Sequence, residues 1–102
     1  SLISVLSSKS SGFDVIEAVR GKYMSDPDFR TVMEKPKEFQ NFVAQDGILH
    51  IKLENWTLLC IPRILIEEKS IRELIIDEAH SLLAHLGPRK TLAYLREHVW
   101  WK

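Results

Sequence analysis

Ser70–Lys102 reads SIRELIIDEAHSLLAHLGPRKTLAYLREHVWWK, and this stretch decides the fold of the C-terminal third. Ser70-Ile71-Arg72-Glu73 fits the S-x-x-E capping box, in which serine and glutamate satisfy amides at a helix start. Ile71, Leu74, Ile75, Glu78, Ala79, Leu82 and Leu83 then recur at helical spacing, with Glu78 as the only interruption. Gly87 closes a loop, and Pro88 opens a second helix at the position where a missing N–H costs nothing. Leu92, Leu95 and Val99 space a second apolar stripe, with Trp100 and Trp101 at its end. The reading is a helix-turn-helix-like pair.

Upstream, the period changes twice. Phe13, Val15, Ile16, Val19 and Tyr23 predict a helix weakened by Gly21, with Asp14 and Glu17 in the early turn that the helix dipole favours. Ser25 or Asp26 caps a second short helix that begins at Pro27, presents Phe29, Val32 and Met33, and stops before Pro36. Asp46-Gly47 between FVA and ILHIKL is a strong hairpin signal. Glu54-Asn55 precedes a third run, WTLLCIP, so three antiparallel strands are expected over 41–45, 48–53 and 56–61. ILIEEK fits either an extended link or an early helical turn. The fold class is therefore α+β: short N-terminal helices, a three-stranded antiparallel meander, and the C-terminal helix pair. Residues 1–12, with six serines, read as a flexible arm; 13–62 form the helices and small sheet, and 63–102 the helical segment.

Composition excludes several classes. The 102 residues include 45% hydrophobic side chains, enough to build a core without disulfides, and the single Cys60 cannot form an internal one. An intracellular setting is expected. No apolar run approaches the roughly 18–20 residues of a membrane span. Net charge is zero, which is unlike a generic polyanion binder. From Leu86 to Lys102, however, Arg89, Lys90, Arg96 and Lys102 outweigh Glu97 for a local +3. The chain does not begin with Met and is expected to be a processed or trimmed piece. It contains no G-x-S-x-G, P-loop or HExxH pattern. Asp26, Asp28, Glu67 and Glu68 read as helix-cap and surface charges.

His80 and His85 are the candidate metal ligands. One on a helix and the other in the following loop can face a single ion, but tetrahedral zinc takes four ligands and these supply half. A chance pair of histidines at a helix end competes with that reading. Cys60 reads as a buried structural thiol, His50 as an outward side chain on the middle strand, and His98 as solvated or capping. Arg89, Lys90 and Arg96, with Tyr94, Trp100 and Trp101, combine the basic and aromatic groups that suit phosphate contact and base stacking. The alternative is that the tryptophans pack on the core or form an apolar patch for association.

LCIPR followed by LIIDEAHSLLAHLGPRKTLAYLREHVWW resembles the start of integrase in gypsy-class LTR retrotransposon polyproteins. The similarity runs from about Tyr23 to Lys102. It implies that His80 and His85 are the two histidines of the family's HHCC zinc-binding domain, and that Cys60 is a packing cysteine. It also implies that 13–61 correspond to the N-terminal extension that holds DNA ends and stabilises the multimer. The family's C-x-x-C pair is absent from these residues. The resemblance therefore implies a domain cut before its second ligand pair, with zinc absent or weakly held, water or Glu78 completing an open site. The acidic catalytic triad lies in a downstream domain, so no enzyme is expected. Two functions follow. One is a non-catalytic integrase segment contributing DNA binding and homo-oligomerisation, nuclear in location, with no membrane or small-molecule partner. The other is a truncated or domesticated copy acting as a small protein-interaction module.

Overall fold

The computed structural model describes residues 14–82 and 88–102. The serine-rich arm, Phe13, Leu83, His85 and Gly87 lie outside the described residues.

Helix α1 spans Val15–Val19, and its cap is Asp14, whose carboxylate accepts from the amides of Ile16 (3.0 Å) and Glu17 (3.3 Å). Gly21, at φ 69°, turns the chain into a 3-10 turn at Tyr23–Ser25. Helix α2 covers Pro27–Glu34 with Asp26 as its cap and Pro27 in the first turn, as the spacing predicted. A second 3-10 turn, Pro36–Glu38, leads into the sheet.

Strands β1 (Phe42–Gln45), β2 (Ile48–Leu53) and β3 (Trp56–Cys60) form the expected antiparallel meander. Asp46 and Gly47 take φ of 54° and 75°, the left-handed pair that a two-residue hairpin turn needs. This turn also docks: the Gly21 amide donates to Gly47 O at 2.9 Å, and Arg20 Nη1 donates to Asp46 O at 2.6 Å. A Cβ at position 47 would sit 3.2 Å from Arg20 Cγ and 3.3 Å from the Gly21 amide nitrogen.

ILIEEK resolves into the extended alternative. Strands β4 (Leu65–Ile66) and β5 (Lys69–Ser70) make a small separate hairpin. Its turn residues, Glu67 and Glu68, both have positive φ, 50° and 71°. Glutamate is a poor left-handed residue, so the β4–β5 ladder has to hold the turn against that preference. The bond from the Ile71 amide to Ile64 O at 3.0 Å pins the hairpin's two ends together.

Helix α3 runs Ile71–Leu82. The Ser70 hydroxyl accepts from the Arg72 amide at 3.2 Å, a serine cap at the amide before Glu73 and not the reciprocal Ser70–Glu73 pair of the box. Ile71, Ile75 and Ala79 are fully buried, one per turn on a single face. Helix α4, Pro88–Leu95, packs on α3. Its inward positions are Thr91 and Leu95, whereas Leu92, assigned by spacing to the apolar stripe, is 41% exposed. Val99 is buried, but on a strand and not on the helix. The chain leaves α4 through residues 96–98 and forms β6, Val99–Trp100, parallel to β3. The Leu59 amide donates to His98 O at 3.1 Å and the Ile61 amide to Trp100 O at 2.8 Å. The sheet order is β1-β2-β3-β6.

The core joins both ends of the described chain. Val15, Val19, Tyr23 and Phe29 share one cluster with Leu49, Leu58, Cys60, Ile61, Ile71, Ile75, Leu95 and Val99. Tyr23 buries its hydroxyl and donates it to Cys60 O at 2.7 Å, which ties the N-terminal turn to the end of β3. Asp26 is not a surface charge. It is 2% exposed; one oxygen accepts from the Asp28 and Phe29 amides, and the other from the Arg63 amide at 2.7 Å. The Arg72 guanidinium lies 3.8 Å from that second oxygen.

Candidate functional site

The candidate residues fall on α3, α4 and β6. His80 is exposed in the last turn of α3. His85, its proposed fellow ligand, lies outside the described residues. Among the described residues no group of three or more His, Cys, Asp or Glu side chains gathers as a metal site. Glu78 is half-buried two positions before His80. The described residues thus supply one imidazole of the candidate pair and do not by themselves assemble a tetrahedral set.

Cys60 is fully buried in β3, and burial pushes its thiol up to about 12. A thiolate is the form that binds metal or reacts, so burial of the neutral thiol disfavours both. Two results are expected. Native protein resists iodoacetamide at pH 8, whereas protein in urea is alkylated completely; equal labelling of both would contradict the burial. Stability should also fall as pH rises from about 9 towards 12. Across that window the unfolded chain releases the thiol proton and the folded chain keeps it. Burial raises Tyr23 as well, in the same direction. His50, half-buried in β2 opposite Val43 and Leu59, is lowered by desolvation.

Helix α4 opens with Arg89 and Lys90, both exposed, and has no acidic residue in its first turn. This is the reverse of what the helix dipole favours, since cations sit at its positive end. The placement costs a few tenths of a kcal/mol and concentrates positive potential at one corner. Arg96, also exposed, follows the helix end. It lies seven residues after Arg89, so the two project from nearly the same side. Tyr94 (39% exposed) and the half-buried His98 pair with ring centroids 4.9 Å apart and planes inclined by 35°.

Residues 67–102 match the integrase zinc binding domain. The matched segment is just over a third of the chain and begins at the β4–β5 turn. It contains α3, α4, β6 and both candidate histidines. The domain that matches is the zinc-binding one, which is not a catalytic domain. No curated protein and no solved structure matches the chain.

Within this matched segment both tryptophans are half-buried and engaged. Trp100 meets Phe29 and Phe42 edge-on, each at 5.7 Å. Trp101 carries the Arg72 guanidinium 5.3 Å above its ring. The exposed apolar groups nearby are others: Leu53 and Leu92 border a groove of about 450 Å³ with Trp101, and Arg96 stands on its rim. Spacing alone hid Leu92 inside the helix stripe. Trp56, 52% exposed next to the Glu54-Asn55 turn, was equally hidden by its place in a strand that ends buried.

Proposed function

We propose that the chain is a non-catalytic integrase segment, of the gypsy-class type, that binds nucleic acid through Arg89, Lys90 and Arg96 and associates with further copies. The match of 67–102 to the integrase zinc binding domain carries this reading. The exposed cations on and just beyond α4, with the exposed Tyr94 on the same helix, support it: positive groups recruit phosphate, and an exposed aromatic ring offers a surface for base stacking. Nuclear residence follows from such a role. Zinc, on this proposal, is held weakly or not at all by His80 and His85 in this segment, so the apolar core and not a metal maintains the fold. Zinc analysis after purification should find less than one tightly bound ion per chain; stoichiometric metal that survives dialysis would refute that part.

Binding to duplex DNA should weaken steeply with salt. If the three cations each neutralise a phosphate, R89A/K90A/R96A lowers the slope of log K against log salt by about 2.7, near 0.9 for every phosphate left without its cation. A slope unchanged by the triple substitution, or no binding at low salt, sinks the nucleic-acid reading. The groove bordered by Leu53, Leu92 and Trp101 favours the second reading, a protein-interaction module, and offers a place for association. Light scattering over a concentration series tests it, with Leu92→Ser expected to shift any dimer towards monomer.

A further inference from the structure

Two features meet at Phe42 of β1. The first is the outer edge of β1. The Lys52 amide donates to Asn41 O at 2.7 Å, so in an antiparallel ladder the backbone groups of residues 41, 43 and 45 face β2, and those of 42 and 44 face outward. The Phe42 amide is taken by Phe39 O at 3.0 Å. The amide and carbonyl of Ala44 and the carbonyl of Phe42 have no strand beside them among the described residues. This edge also lacks the usual protection. Its four residues, Phe-Val-Ala-Gln, contain no charge and no proline.

The second feature is a cavity of about 410 Å³ against the same strand. Its apolar walls are Phe29, Phe39, Phe42 and Trp100, and Asp28 and Lys102 stand at its mouth. The rings meet at steep angles: Phe42 is inclined 75° to Phe39 and 72° to Trp100. Phe39, Phe42 and Trp100, each half-buried, therefore border one space at different inclinations, with Phe29 buried behind them at 1% exposure and the Asp28 carboxylate in the lining. Aromatic faces attract a cation through their quadrupoles, and Asp28 adds a full negative charge. The chain already places an ammonium there, since Lys102 Nζ lies 3.7 Å from Asp28 Oδ1. That pair is loose, with side chains 72% and 45% exposed, and such contacts exchange at little cost.

We infer that the β1 edge and the aromatic cavity together form a site for an extended peptide that bears a lysine. The peptide backbone adds to the edge at Ala44, and the lysine ammonium enters the cavity and displaces Lys102 from Asp28. The chain's own ion pair points to the occupant: an alkylammonium can take the place of Lys102 beside Asp28, next to the aromatic walls, whereas a carboxylate in that place would meet Asp28. Methylation of the lysine should strengthen binding, because a quaternary ammonium loses less hydration when it meets a ring face. The site shares no residue with Arg89, Lys90 or Arg96 and stands or falls independently of DNA binding.

The test titrates the 102-residue chain with short Thr/Val-rich peptides whose central residue is lysine, trimethyllysine, norleucine or glutamate. Calorimetry gives affinity, and amide NMR locates the binding surface. Trimethyllysine should bind tightest, and norleucine about fivefold weaker than lysine, the effect of removing one exposed cation–π interaction. The Ala44 amide should shift on binding. D28N should weaken the lysine peptide while leaving norleucine unaffected. K102M should tighten the lysine peptide by removing the internal competitor. Equal affinity for lysine and norleucine, shifts confined to residues away from β1, or no binding of any peptide would each overturn the inference. D28N and K102M change only exposed side chains, so a folding defect does not confuse the outcome.

Discussion

Asp26→Ala should lower the free energy of unfolding by about 4 kcal/mol, the usual cost of removing one member of a buried ion pair. Among the described residues the carboxylate is the acceptor for three backbone amides. The Asp28 and Phe29 amides lose their helix cap, the Arg63 amide loses its acceptor, and the Arg72 guanidinium is left without its carboxylate. Arg72 is itself 13% exposed, and its Nε and Nη2 donate to Ile61 O at 3.3 and 3.0 Å, so it cannot swing into water without abandoning that carbonyl. Burial lowers the arginine pKa, and Asp26 opposes that shift. Asp26→Asn is a sharper probe of the same network. It retains the cap oxygen but turns an NH₂ towards the Arg63 amide and the guanidinium, donor against donor, and should still cost more than about 1 kcal/mol. Asp28→Ala, at a half-exposed carboxylate two residues away, should cost well under about 1 kcal/mol. Urea unfolding measures all three. If Asp26→Ala and Asp28→Ala prove equally mild, the buried network has no energetic role.

Phe29→Ala should destabilise by about 3–5 kcal/mol, the range for emptying a buried phenylalanine site. Phe29 is 1% exposed and holds together three segments distant in sequence. Its ring meets Tyr23 at 5.7 Å and 90°, Phe42 at 6.4 Å and 75°, and Trp100 at 5.7 Å and 67°. The deletion thus uncouples α2 from β1 and β6 at once. Phe29→Leu keeps most of the volume and should lose roughly 1–1.5 kcal/mol. Against a total of about 5–15 kcal/mol for a domain of ordinary stability, the alanine variant should be partly unfolded near its working temperature. A loss below about 1 kcal/mol, or equal losses for alanine and leucine, would show that the aromatic cluster is not the structural centre.

Much of the fold was legible because the signals were local. Asp46-Gly47 specified a hairpin whose left-handed pair the structure contains, and the strands on either side stand where alternation placed them. Asp26-Pro27 announced a helix start, and Ser70 announced another, since a cap needs only its own neighbouring amides. The EAHSLLAHLG and KTLAYL segments sufficed for the likeness to an integrase zinc-binding domain, and a domain of that description matches 67–102. The burial of Asp26 was not legible: cap and surface charge look identical until Arg63 and Arg72, far along the chain, close over it.

The sequence by itself determined the helix starts, the meander and the likeness carried by its last third, because each rests on residues within a few positions of one another. Only the tertiary structure decided that Val99–Trp100 is a strand beside β3, that Leu92 faces outward while Thr91 is buried, and that Glu54, Glu67 and Glu68 occupy left-handed turn positions. The physical reason is the same in each case. A strand needs a neighbour, a buried face needs an opposing surface, and a strained turn needs surroundings that hold it. The neighbour and the opposing surface come from parts of the chain that no short spacing connects, and the Glu67–Glu68 turn is held by the β4–β5 ladder that flanks it.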